Sequence, residues 1–262
     1  MNATGLSWLA GTRWYVPPQN LLAYLCDRAL EDMQPVADQT IWSIISASNG
    51  QFQGTSTTKL WTRNPAGWMA ALGTTTNAMS GTIAENGDIT IVFTPDDPDQ
   101  ATTTGYGHLR QVEGEWRMEM QMATGTGALA LHWAYMTGWM EGDPAPPELT
   151  HLPDPQLRSD EWRWIAGPQW RAVDEELFPR GAAFTIGSYR NGYFRGEGTV
   201  AAGDSLRVAG SVTPEGMLYI LFSVAGEPAV ARRGAVQGSG QTGRMEWTAP
   251  EGGPVIGSAT PR

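Results

Sequence analysis

The sequence contains one cysteine, Cys26, so no internal disulfide can form, and the opening Met1-Asn2-Ala3-Thr4-Gly5 has neither the basic nor the apolar segment of a secretory signal. A cytoplasmic protein is the expectation. Hydrophobic runs are short, none nearing the roughly 20 residues that a helix needs to cross a bilayer, which predicts a soluble chain. Cations are scarce as well: 17 Lys and Arg against 27 Asp and Glu give a formal charge of −10 and a pI near 4.7. This argues against nucleic acid, which is held by neutralising its phosphates, and against an anionic membrane surface. There is no Cys/His array at zinc spacing, no phosphate-binding glycine loop and no nucleophile elbow. Neither a metal nor a cofactor is expected.

What the chain does have is a repeat. Trp8-Leu9-Ala10-Gly11-Thr12-Arg13-Trp14 returns as Trp164-Ile165-Ala166-Gly167-Pro168-Gln169-Trp170. Three further matches follow in the same order. Asn49-Gly50-Gln51-Phe52-Gln53-Gly54 returns as Asn191-Gly192-Tyr193-Phe194-Arg195-Gly196, Gly81-Thr82-Ile83 as Gly210-Ser211-Val212, and Arg117-Met118-Glu119-Met120 as Arg244-Met245-Glu246-Trp247. The spacing between copies only shrinks along the chain, as it would in an internal duplication whose second copy has shorter loops.

Abundant Gly and Pro, 32 and 18 residues, with short apolar runs, predict an all-β chain. Strands are expected at 40–48, 51–62, 68–74, 80–84, 88–94, 102–112, 115–122 and 128–140, with Asn-Gly hairpin turns at 49–50 and 86–87. Apolar residues at helical spacing in Asn20–Leu30 predict one short helix near the N-terminus, plugging or flanking one end of the first barrel. About eight strands suffice to close a small barrel. The second copy supplies strands at 170–177, 182–190, 192–201, 205–212, 217–224, 230–237 and 243–248, and its Gly-rich tail reads as partly loose. The expected organisation is a first β-barrel domain at 1–145, bearing any ligand, a Pro-rich linker at 146–158 and a second, reduced β-barrel domain at 159–262.

A glycine shortly before a tryptophan on the first strand of a meandering barrel resembles the calycin-like group, the lipocalin and avidin type. Gly11-Thr12-Arg13-Trp14 and Gly167-Pro168-Gln169-Trp170 are each one residue longer than the Gly-x-Trp of those families. The resemblance implies two tandem calycin-like antiparallel barrels and assigns no functional residue.

Candidate chemistry concentrates in the first half. Trp116, Met118, Met120 and Met122 alternate with Glu115, Arg117, Glu119 and Gln121, so one face is apolar and adaptable and the other charged, and parity alone leaves open which faces inward. His132 shares a face with Ala130, Ala134 and Met136, where small neighbours leave room for a general base or for a histidine that merely satisfies a backbone carbonyl. Tyr106, His108 and Arg110 share another face and together suit a carboxylate or phenolate, or form a solvated edge. Trp42, Trp133 and Tyr135 join Trp116, Met118 and Met120 as candidate ligand contacts, because large aromatics beyond the repeat suit a flat, hydrophobic molecule or an interface. The leading expectation is a cofactor-independent lyase, isomerase or cyclase acting on a small hydrophobic or aromatic molecule held in the first barrel, with His132, His108, Tyr106 and Arg110 as acid–base candidates. The alternatives are a non-catalytic carrier for such a ligand and an interaction module with none, and a homodimer is left open.

Overall fold

The computed structural model describes residues 3–63, 69–96, 102–124, 128–139, 159–250 and 252–262. The expected linker lies outside them. The chain forms two closed, eight-staved antiparallel β-barrels, and among the described residues the helical segments are all short 3-10 turns. No helix of the described residues is long and apolar enough to cross a membrane.

The first barrel is built from β1 (Arg13–Tyr15), β2 (Leu22–Asp27), β3 (Met33–Ser48), β4 (Gln51–Arg63), β5 (Met69–Ile83), β6 (Asp88–Pro95), β7 (Thr103–Val112), β8 (Glu115–Thr124) and β9 (Ala128–Trp139). Its ring runs β3-β2-β9-β8-β7-β6-β5-β4 and closes where β4 pairs with β3. β1 lies against the far ends of β3 and β9, so β1 and β2 together make one stave, interrupted by the 3-10 turn Pro18–Asn20. Two consecutive prolines there remove the N–H groups that a continuous strand would donate.

The helix expected at Asn20–Leu30 is therefore corrected: its apolar core is strand β2. A short apolar run has no decisive periodicity. A strand at this place satisfies the edges of both β3 and β9, whereas a helix would leave the barrel open with two unpaired edges. The expected strands at 68–74 and 80–84 are likewise one strand, β5.

The second barrel comprises β10 (Gln169–Asp174), β11 (Phe178–Arg190), β12 (Tyr193–Val200), β13 (Ser205–Val212), β14 (Met217–Val224), β15 (Val230–Gln237), β16 (Arg244–Thr248) and β17 (Gly257–Pro261). The tail expected to be loose supplies β17, which pairs with both β16 and β10 and closes the ring. By contacts, residues 1–25 and 34–156 form one compact unit, and residues 26–33 group with 157–262 in the other. Within this second unit Ala229 N–H donates to Arg28 O at 2.7 Å, and Arg207 pairs with Glu31 at 3.1 Å.

The two barrels repeat one another in register. Trp14 pairs with Trp42, and Trp170 with Phe184. A β-bulge follows the pair Ile44/Gly54 in one and Ile186/Gly196 in the other. Just before it, Gly11 N–H donates to Ile44 O at 2.8 Å and Gly167 N–H to Ile186 O at 3.1 Å. Asn49-Gly50 and Asn191-Gly192 both adopt positive φ, 51° and 74° against 52° and 83°, the two-residue hairpin that matches strand twist. A Cβ on Gly81 would strike the Phe52 ring, and one on Gly210 the Phe194 ring. Such coincidences of bulge, turn and close approach have no common cause other than duplication of one unit.

Candidate functional site

Alternation along the strands settles which side chains enter the first barrel. The inward row of β3 is Val36, Asp38, Thr40, Trp42 and Ile44, all buried. Met118, Met120 and Met122 of β8 face the same interior, with Met79, Met136, Leu109, Phe52 and Phe93. Gly105 and Gly107 on β7 make room for the thioethers: a Cβ at Gly105 would stand 2.7 Å from Met122 Cγ, and one at Gly107 would strike the Met120 sulfur. The other face of β8 therefore points away from this interior, although Glu119 and Gln121 on it are buried, and the methionines form the inner wall.

Above this apolar wall lies a polar layer. His132 and Asp38 are 1% and 3% exposed, yet both are ionisable, and burying either charge alone would be costly. They meet: Nδ1 of His132 stands 3.2 Å from Asp38 Oδ2, an ion-pair contact rather than an in-line hydrogen bond. The other ring nitrogen, Nε2, donates to Asn20 O at 2.8 Å. Thr40 Oγ1 donates to Asp38 Oδ1 at 2.7 Å and lies 2.9 Å from Thr58 Oγ1. Burial by itself lowers the His132 pKa, but the Asp38 charge and the two acceptors outweigh it and raise the pKa above the ordinary 6.5. With a carbonyl accepting from Nε2 and the Asp38 carboxylate beside Nδ1, His132 holds a proton more readily than a free imidazole, and it ties the Pro18–Asn20 turn to β3 and β9.

Two indole N–H groups in this barrel have no acceptor. Trp42 Nε1 and Trp61 Nε1 are buried in or against the apolar core with no hydrogen-bond partner among the described residues. Trp42 itself is 0% exposed, with its ring 5.7 Å from Phe93. Other buried indoles are satisfied: Trp14 donates to Thr12 Oγ1 at 3.0 Å, Trp170 to Ile165 O at 2.9 Å and Trp247 to Asp174 at 2.8 Å.

The candidates read from sequence fall on two sides of the wall. His132, Trp42, Met118 and Met120 face the interior, and Trp116 packs against the core at the end where it stacks on Trp8, 5.3 Å between centroids. Tyr106, His108, Arg110, Trp133 and Tyr135 are on the outer face, so they do not converge with His132. There the registers place Tyr106 beside Gln121 and Trp133, and His108 beside Glu119 and Tyr135. His108 Nδ1 is 3.0 Å from Asp88, Arg110 is 3.6 Å from Glu119, and the Arg110 guanidinium lies over the Tyr135 ring.

Asp38, Asn20 and Thr40 carried no sequence signal. A lone carboxylate in a polar stretch is unremarkable until the fold sets it opposite a histidine far along the chain. Trp61 has no tryptophan counterpart in the second copy.

The second barrel buries its charge elsewhere, on β10 and β15. Its buried charge is Asp174, 0% exposed, which accepts from Arg232 Nε at 2.9 Å, Trp247 Nε1 at 2.8 Å and Leu177 N at 2.9 Å. Burial alone raises its pKa, but these donors overcome that and hold the carboxyl below its usual value. This cluster is closed on itself. A shallow pocket of about 190 Å³ on the outside of this barrel includes Arg195 and Arg207, but both already engage Glu31. Cys26 is buried, and burial with Asp27 nearby pushes its thiol up to about 12, which makes it inert. Among the described residues no group of three or more His, Cys, Asp or Glu side chains is placed to hold a metal ion. Compared with protein-family models, curated proteins and solved structures, the chain finds no match.

Proposed function

We propose that the first barrel is a binding module for a small, largely apolar or aromatic molecule, and that the second is its structural duplicate. The observation that carries this reading is a difference between equivalent inward positions. Gly107 pairs with Met120 in the first barrel, and Gly234 with Trp247 in the second. Trp247, with Phe178, Phe184 and Phe222, packs the second interior with contacting rings. The first barrel has a flexible thioether where that indole stands, within a wall of five methionines, and methionine is the side chain that adapts to a guest.

The acid–base reading, a lyase, isomerase or cyclase working through His132, is second, and the buried His132–Asp38 pair is what favours it. It ranks below binding because Nε2 already donates to Asn20 O, so a reacting molecule must displace that carbonyl before it can exchange a proton. The calycin-like relationship and a cytoplasmic location belong to the same proposal, supported by the barrel architecture and the inert, unpaired Cys26.

Titrating the whole chain with N-phenyl-1-naphthylamine tests the reading. Saturable probe fluorescence with transfer from tryptophan, together with a rise in melting temperature, is the expected result. Probe signal that never saturates and leaves the melting temperature unmoved contradicts it. For the acid–base reading, a His132→Gln variant that binds the molecule normally but loses its turnover by roughly 10²–10⁴-fold is the required outcome.

A further inference from the structure

We infer that the first barrel selects guests carrying a hydrogen-bond acceptor oxygen, an aromatic or alicyclic ketone being the simplest class, and that the indole N–H of Trp42 is the anchor. The inference rests on the binding reading above and adds the chemistry of the guest.

A buried N–H without an acceptor is costly, so folded proteins seldom leave one without a reason. Trp42 Nε1 is such a group in a side chain 0% exposed, and Trp61 Nε1 is a second one against the same core. The duplicate supplies the control. At the position of Trp42 the second barrel has Phe184, as the pairs Trp14/Trp42 and Trp170/Phe184 establish, and Phe184 keeps the same partner, Phe222, that Trp42 has in Phe93. The fold therefore accepts a phenyl ring here. The first barrel nonetheless carries an indole, whose N–H has no use in packing, in an interior that is thioether and hydrocarbon apart from the His132, Asp38 and Thr40 layer and the Ser56 hydroxyl beside Trp42. The indole N–H is a donor only, so its complement is an acceptor, and because His132 already faces Asp38 and the Asn20 carbonyl, a carboxylate or phosphate would enter at the cost of an uncompensated charge. A neutral carbonyl or ether oxygen on an apolar body meets both conditions.

The test measures affinities of the full-length protein for 2-acetylnaphthalene and for 2-ethylnaphthalene, close in shape but differing in the acceptor. Wild-type protein should bind the ketone roughly three- to ten-fold more tightly, the worth of one hydrogen bond. In Trp42→Phe, which installs the residue of the second barrel, the two affinities should converge through loss of the ketone's advantage alone. The indole proton resonance assigned to Trp42 should move downfield with the ketone and not with the hydrocarbon. Should Trp42→Phe fold poorly, the wild-type preference and the indole shift still decide. Equal wild-type affinities overturn the acceptor preference while leaving the binding reading in place. A preference that survives Trp42→Phe but not Trp61→Phe overturns the assignment of the anchor. Binding of neither compound removes the binding reading and this inference with it.

Discussion

At the scale of single residues, the two barrels hold buried charge by opposite means, and pH separates them. His132 has a raised pKa in the fold, so its protonated form adds stability that is full below the unfolded value of 6.5 and is lost as pH rises through the folded value. Replacing it with Gln should cost about 1–3 kcal/mol in mildly acidic buffer, with the gap to wild type narrowing as the solution is made alkaline. Denaturant titrations of both proteins across that range check this, and a gap that widens with pH contradicts the raised pKa of His132. Asp174 has a lowered pKa, so its contribution is present above the unfolded value of 3.8 and is lost as pH falls through the folded value. Asp174→Ala should cost about 3–5 kcal/mol near neutrality by stranding Arg232, and loss below 1 kcal/mol, measured by denaturation, would refute this. His132 was legible in the sequence through its small neighbours, whereas Asp38 was not, because a partner far along the chain leaves no local trace.

At the scale of elements, hairpin turns and alternation were the readable part. Asn49-Gly50 and Asn191-Gly192 announce their turns, and the strand spans of β13, β14 and β15 follow from apolar runs bounded by Gly, Pro and Asp. β2 misled, since Leu22–Asp27 is buried almost throughout and shows no clean period of two. β17 was hidden because Gly257–Pro261 is small and polar, and only the need to close a ring makes it a strand. The parity of β8 was plain, yet its inner face became known only when Gly105 and Gly107 were found opposite the methionines. The close approaches at Gly81 and Gly210 give a test of equivalence. A Cβ at either meets a phenyl ring and also a backbone carbonyl, Thr90 O at 2.8 Å or Tyr219 O at 2.5 Å. Gly81→Ala and Gly210→Ala should each lower stability by about 1–3 kcal/mol, read as a lowered urea midpoint, and a neutral effect at one alone breaks the correspondence.

At the scale of the whole molecule, duplication was visible in sequence because tryptophans and glycines at closure points tolerate little change in packing or backbone. The proposed difference between copies was only partly visible: Met120 aligns with Trp247 in sequence, but that both face inward, and that Trp42 stands where the second barrel has Phe184, follows only from the strand pairings. The central claim is that one copy receives a guest and the other is filled. Photolabelling the full-length protein with an aryl ketone bearing a diazirine, then mapping the modified peptides by mass spectrometry, addresses it most directly. Competable labels on the peptides of β3 and β8 that carry Trp42, Met118 and Met120 are the predicted result; competable labels confined to residues 159–262, or to the outward Trp133 and Tyr135, would contradict the account.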